Sequence, residues 1–222
     1  MLLAIDTSTR WVGLALFDGV QVQGETVWQS HSNHTVEVAP ALNALLARSQ
    51  VAPEALKAIG VALGPGSFTS LRIGLGIAKG MALALRIPVI GIPTLDIVAA
   101  SQPVQDLPLV AILQAGRGRL AVGWYQVKSG RWQAQGEAQV LRVADLEQKI
   151  TQPTLVVGEL NAEERTLLAR KRKLCLLASP AHSLRRPGYL AELAWKRWKA
   201  GKVDDPVTLS PIYLHLVEAI PA

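Results

Sequence analysis

Apolar positions follow two periods along this chain, and the switch between them marks its elements. Leu2–Asp6, Val12–Phe17 and Val20–Trp28 are rich in β-forming residues, separated by Asp/Thr/Ser and by Asp18-Gly19. Such runs predict three antiparallel strands, with Asp18-Gly19 as a hairpin turn. From Val36 to Ala47 the apolar residues Val38, Leu42, Leu45 and Leu46 recur at helical spacing. Pro40 interrupts that pattern, so the helix is expected either to start near it or to bend there. Ala58–Leu63 reads as a strand running into Gly64-Pro65-Gly66, and Ser67–Arg86 as a helix. Pro88–Ile92 reads as a strand, and Pro93-Thr94 opens a helix through Ala100. The first hundred residues thus read β-β-β-α-β-α-β-α.

The second half repeats this loosely. Leu107–Leu113, Leu120–Val127 and Trp132–Val140 look like strands, with Gly116-Arg117-Gly118 and Ser129-Gly130 as turns. Val143–Ile150 is helical and Thr154–Val157 a strand. Asn161 with Glu164 is an N-cap pair opening a helix to Ala169. Leu174–Leu177 is a strand, and Gly188–Ala200 a helix closed by Gly201. Two three-strand meanders, each followed by alternating α and β, predict two related α/β lobes, residues 1–100 and 101–222. That is the architecture of actin, sugar kinases and Hsp70-type ATPases, and it leaves open that the C-terminal helix returns to the first lobe.

The helix Ser67–Arg86 carries an unusual pattern. At 100° per residue Arg72, Lys79 and Arg86 fall within roughly 40° of one another. Two files of small residues run at spacing four, Ser70/Gly74/Ala78 and Gly76/Gly80/Ala84. A helical glycine costs ~1 kcal/mol relative to alanine, so three of them need a reason. Small residues let another helix approach closely. One sheet can cover only one side, so the two files predict both internal packing and a partner helix, with Ile77 and Met81 beside them.

Composition narrows the class. The 222 residues are 50% hydrophobic and 18% charged, with one cysteine, Cys175; mean hydropathy is +0.24. This excludes intrinsic disorder, a disulfide framework and a cysteine-rich zinc site. The most membrane-like window, Ile73–Ile92, holds Lys79, Arg86 and Pro88, which fits a core helix and buried strand better than a span. No secretory signal is visible in MLLAIDTSTR. A soluble, cytoplasmic protein is expected. The net charge of +6 lies entirely in residues 101–222, which hold seventeen Lys/Arg and eleven Asp/Glu. Between Arg165 and Lys202 there are eleven basic residues and one acid, Glu192. Arg170, Lys171, Arg172, Lys173, Arg185 and Arg186 are therefore candidate RNA contacts, against a plain solvated face as the alternative.

Candidate chemistry is sparse. Asp6-Thr7-Ser8-Thr9 sits where this fold class holds phosphate, but Ser8 occupies the place of a glycine. Gly64-Pro65-Gly66-Ser67 precedes a helix, where Ser67 suits capping better than anion binding. His31 and His34 have the spacing of a metal pair, yet only Glu37 is near as a third ligand, and no metal is expected. Trp195 and Trp198, interleaved with Lys196, Arg197 and Lys199, suit RNA stacking, although Trp198 shares a helical face with Leu190 and Ala194. No nucleophile arrangement stands out, and Cys175 reads as buried and inert.

Leu3-Ala4-Ile5-Asp6-Thr7-Ser8-Thr9, His34-Thr35 with Pro40-Ala41-Leu42, and Gly64-Pro65-Gly66-Ser67-Phe68-Thr69-Ser70-Leu71-Arg72-Ile73-Gly74 together resemble the TsaB (YeaZ) family. Gly91-Ile92-Pro93-Thr94-Leu95 also fits, and the likeness is strong to about residue 100 and weak beyond it. The resemblance implies a two-lobed member of the actin-like ATPase fold that is not catalytic alone. It implies a scaffold for TsaD, which transfers threonylcarbamoyl to adenosine in tRNA, with the ATPase TsaE docking on the pair. It further implies homodimers through the same surface when TsaB is alone, and tRNA reached through the complex. No cofactor is required by the subunit itself, and ATP or ADP belongs at the complex interface. The interface is expected at Pro40, Leu42, Leu45, Ser70, Gly74, Gly76, Ile77, Gly80, Met81 and Ala84. Gln114-Ala115-Gly116-Arg117-Gly118-Arg119 lacks the acids of the family's second-lobe turn, and His215 stands where arginine is expected after Pro211-x-Tyr213-Leu214. Two alternatives stand beside this reading. One is an actin-like phosphotransferase using Asp6, Thr7 and Thr9; the other is a metallopeptidase using His31.

Overall fold

A computed structural model of the chain describes residues 1–31 and 33–214, which leaves His215 outside the described residues. Its frame is two mixed sheets. The first comprises β1 (Leu2–Asp6), β2 (Trp11–Phe17), β3 (Val22–Gln29), β4 (Ala58–Ala62) and β5 (Val89–Ile92), in the order β3-β2-β1-β4-β5. The meander β1-β2-β3 is antiparallel, and β4 and β5 add in parallel. The second comprises β6 (Leu109–Gln114), β7 (Leu120–Lys128), β8 (Arg131–Ala134), β9 (Gln139–Leu141), β10 (Thr154–Gly158) and β11 (Cys175–Leu177). Its order is β11-β10-β6-β7-β8, with β9 also paired to β7. Meander and parallel strands are arranged alike in both, which is the two-lobed α/β organisation expected from the sequence.

The helices are α1 (His34–Arg48), α2 (Phe68–Leu85), α3 (Thr94–Ala100), α4 (Val143–Lys149), α5 (Ala162–Ala169) and α6 (Pro187–Lys199). Both faces of each sheet are covered, so strands alternate between two cores rather than between core and water. Leu3 and Ile5 of β1 join the cluster under α1 and α2, while Leu2 and Ala4 join the one under α6. Likewise Leu109, Ala111 and Leu113 of β6 face α3, and Val110 and Ile112 face α4 and α5. The layers run α1/α2, first sheet, α6 touching α3, second sheet, α4/α5. Each sheet is thus finished by a helix from the other half of the chain. The C-terminal helix α6 lies on the first sheet, admitted by Gly60, whose Cβ would fall 2.6 Å from that of Ala194. Conversely α3, placed by its sequence position in the first lobe, packs mainly on β6.

Local departures have local causes. Helix α1 does not start near Pro40 but at His34, and it runs through Pro40 to Arg48. Val38, Leu42, Leu45 and Leu46 are buried on one side, and the missing N–H of Pro40 falls on the exposed side. The run Trp132–Val140 is two strands, broken where Gly136 takes φ +94° and Gln135 N–H bonds the Trp124 carbonyl at 2.7 Å. Helix α2 is capped by Ser67 and ends at Arg86, in the left-handed region at φ 54°. By length and composition it could cross a membrane, yet one side is packed in the first lobe's core. The tail then closes the first sheet's edge: Asp204 bonds Val89 and Gly91 of β5, and Ile212 N–H reaches the Leu63 carbonyl at 2.7 Å.

Candidate functional site

Helices α1 and α2 touch and form the outermost layer of the first lobe. The two small-residue files of α2 part company here. Ser70, Gly74 and Ala78 face inward: a Cβ on Gly74 would sit 2.2 Å from Thr7 Oγ1, and Thr7 Oγ1 donates to the Ser70 carbonyl at 2.7 Å. Gly76, Gly80 and Ala84 are exposed, and a Cβ on Gly76 or Gly80 would meet nothing within 4 Å. Leu83 beside them is 79% exposed and Ile77 half-buried. On α1 the outward stripe is Val36, Ala39, Pro40, Asn43, Ala44 and Ala47. This is a largely apolar, small-residue surface interrupted by Asn43, with Lys79 and Arg72 at one margin, the latter folded onto Phe68 and bonded to Tyr213. Of the residues expected at an interface, Leu42, Leu45, Ser70 and Gly74 are removed from it, because the chain's own core covers them. Met81 is half-buried and packs on that core. Periodicity alone missed Val36 and Leu83.

Between the lobes lies a cleft of about 960 Å³, lined by Thr9, Arg10, Ser67, Gln114, Glu159 and Arg185 among others. Of the turn Asp6-Thr7-Ser8-Thr9 only Thr9 lines it, and the whole turn is buried behind its wall. Its oxygens are spent within the chain. Asp6 Oδ1 accepts from Ser8 N–H at 2.9 Å, and Asp6 Oδ2 accepts from Arg185 Nε. Ser8 Oγ lies 2.8 Å from Thr94 Oγ1, and Thr9 Oγ1 donates to Glu159 Oε1 at 2.7 Å. Gly66 packs against this turn so tightly that a Cβ would fall 2.1 Å from the Ser8 carbonyl oxygen. Gly64-Pro65-Gly66 therefore braces the turn. A metal-bound phosphate does not fit on Asp6, since a guanidinium already takes both of its oxygens. Burial alone would favour neutral Arg185, but Asp6 and Glu159 reverse this and push its pKa up, so the cation is permanent. In the second-lobe turn Gln114 Nε2 donates to Glu164 Oε2 at 2.7 Å and to the Glu159 carbonyl at 3.2 Å. Sequence reasoning missed Glu159. Its one signal was an acid just after a strand, as at Asp6.

The basic candidates divide. Arg185 is buried, with its side chain 2% exposed between two carboxylates, and is not an RNA contact. Arg186 is held by Glu25 at 2.9 Å, and Lys171 Nζ by the Glu147 carbonyl at 2.8 Å. Arg170, Arg172 and Lys173 are exposed in the turn between α5 and β11 and join no ion pair among the described residues. The rings of Trp195 and Trp198 pack edge to face 5.0 Å apart, with Lys199 Nζ about as far from each. His34 is buried, its Nε2 3.0 Å from the Thr9 carbonyl oxygen, which spends the ring on holding α1 to the β1–β2 turn. Cys175 is buried, and burial pushes its thiol pKa up, away from reactivity.

Comparison with known proteins gives a consistent picture. Residues 28–176 match the family model described as TsaD, tRNA N6-adenosine threonylcarbamoyltransferase. The chain is 33% identical to the tRNA threonylcarbamoyladenosine biosynthesis protein TsaB of Bacillus subtilis, over 98% of this chain and 95% of that one. The solved structure of YeaZ from Pseudomonas aeruginosa superposes with a TM-score of 0.79 at 25% identity, covering 96% of this chain and 99% of that one. A ROK hexokinase from Thermus thermophilus, 12% identical with a TM-score of 0.51 over 90% of this chain and 99% of its own, shares the fold alone.

Proposed function

Because the chain belongs to the TsaB (YeaZ) family and thus to threonylcarbamoyladenosine biosynthesis in tRNA, we propose that it is the scaffolding subunit that docks a TsaD-type catalytic subunit through α1 and α2. The observation that carries this is the outward surface of Val36, Pro40, Gly76, Gly80, Leu83 and Ala84, apolar and uncovered within the chain. Small residues there let a second helix pair approach until backbones meet, and the area removed from water supplies the driving force. The likeness of residues 28–176 to TsaD supports that occupant. A partner built on the same fold presents helices in the same places, so the two pair about a pseudo-twofold axis. The same surface pairs two copies of this chain when TsaD is absent. TsaE binds the assembled pair, and tRNA reaches this subunit only through the complex. A nucleotide used by the complex sits at the shared interface.

The subunit is not catalytic on its own. A phosphotransferase would need Asp6 free to hold a metal–phosphate, and Arg185 holds it instead. A metallopeptidase would need His34 beside His31, and His34 is bonded to the Thr9 carbonyl. The experiment is size-exclusion chromatography of the chain mixed with the TsaD-type protein of its own organism. Co-elution, lost when Gly80 is replaced by a bulky residue, is the expected result. Separate elution of the wild-type proteins at micromolar concentration overturns the reading.

A further inference from the structure

We propose that Arg185 is a built-in cation that clamps the two lobes across the cleft and anchors the foot of α2, holding the walls of the cleft together with the chain's own charge. Arg185 lies on the connector from β11, in the second sheet, to α6, on the first. It meets one carboxylate from each lobe. Nε and Nη2 donate to Asp6 at the end of β1, and Nη1 donates to Glu159 Oε1, just beyond β10, at 2.7 Å. Nη2 also donates to Thr9 Oγ1 at 3.2 Å and to the Trp11 carbonyl at 3.3 Å. A planar fork of five N–H donors suits this double task, which a single ammonium cannot perform.

The charge balance makes the role specific. Two carboxylates converge on one guanidinium whose side chain is 2% exposed. Without it they would repel in a region of low dielectric, and the walls of the cleft would part or take up another cation. The bonding continues from the clamp into α2. Asp6 Oδ1 accepts from Ser8 N–H at 2.9 Å, the Ser8 carbonyl from Ser67 N–H at 2.7 Å, and Thr7 Oγ1 donates to Ser70. Glu159, Arg185, Asp6, Ser8 and Ser67 thus form one hydrogen-bonded line from the second lobe to the N-cap of α2.

Hydrogen exchange on the full chain tests this, read at the amides of Ser8, Ser67 and Glu159, with the amides of Ala4 in β1 and Ala111 in β6 as the core reference. Two variants are compared with the wild type. Arg185→Lys keeps the charge but cannot span both lobes. The triple variant Asp6→Asn, Glu159→Gln, Arg185→Met removes the charges and the clamp together. Both are expected to exchange at the three cleft amides at least tenfold faster, with Ala4 and Ala111 unchanged. If only one folds, that one decides. Wild-type exchange at the cleft in a folded variant overturns the proposal. So does failure of both to fold, because Arg185 would then be needed to build the lobes rather than to join them.

Discussion

Gly76 and Gly80 allow the docking surface to be tested with two effects of opposite sign. Both are inside α2, and a Cβ at either would meet nothing within 4 Å. Replacing a helical glycine by alanine gains about 1 kcal/mol where no clash intervenes. The double variant Gly76→Ala, Gly80→Ala should therefore stabilise the monomer by roughly 1–2 kcal/mol. For a chain of this size that raises Tm by about 2–8 °C. Leucine has nearly the helix propensity of alanine, so Gly76→Leu, Gly80→Leu should also leave the monomer at least as stable as wild type. Against a partner the sign reverses, since each inserted side chain overpacks a close helix contact by about 1–3 kcal/mol. The pair should weaken docking by roughly 2–6 kcal/mol, or about 30-fold to 10⁴-fold in Kd. Thermal unfolding by circular dichroism at a dilution where the chain is monomeric measures the first effect, and titration with the TsaD-type subunit the second. A leucine variant that melts below wild type, or one that binds with wild-type affinity, refutes the reasoning.

Gly74 should behave in the opposite way to its neighbours. Alanine there would place Cβ 2.2 Å from Thr7 Oγ1 and force α2 off the β1–β2 turn. A loss of about 1–3 kcal/mol is expected, visible as a lower Tm, and an unchanged Tm would show that the turn yields. Burial pushes the Asp96 carboxyl up, partly offset by the hydrogen bond from Tyr125. A raised acid disfavours the folded state above its folded pKa, and this burden disappears as pH falls below the unfolded value of about 3.9. Asp96→Asn should thus raise Tm at pH 7 and lose that advantage by about pH 3.5; a pH-independent difference would contradict this assignment. Isolated chain titrated calorimetrically with ATP and magnesium should give no micromolar binding, because Asp6 is already committed, and a clear isotherm would overturn that. Reversing Arg170, Arg172 and Lys173 to Glu should weaken tRNA binding by the assembled complex and flatten its salt dependence, each lost phosphate contact removing about 0.9 from the slope. An unchanged slope would leave these residues as a solvated face.

Much of this fold is written locally. Asn161 and Glu164 are three residues apart and form the reciprocal cap that their spacing predicts. The meander and parallel strands of the first sheet follow from β-forming runs punctuated by Asp18-Gly19 and Gly64-Pro65-Gly66. Long-range partnerships left no such trace. Asp6 and Arg185 are 179 residues apart, and a basic run cannot reveal that one member points inward while Arg170 and Arg172 point out. Helical spacing correctly marks both sides of α2 as small, yet it carries no information on which side the sheet takes. That depends on Thr7, which needs the space that Gly74 leaves. The break after Ala134, by contrast, was legible: between Trp132 and Val140 the chain is poor in β-formers, and Gly136-Glu137 marks the place where the strand stops.

The placing of α6 on the first sheet bears on how the molecule is made. Leu2, Ala4, Ala15 and Ile90 stay bare on that side until Leu190, Ala191 and Ala194 arrive. At ~5–20 residues per second, translation delivers that cover roughly 5–20 s after β5 leaves the ribosome. A nascent chain stalled before residue 187 should carry a sticky, half-dressed sheet, and severing the gene between the two halves should yield two insoluble fragments rather than two working modules.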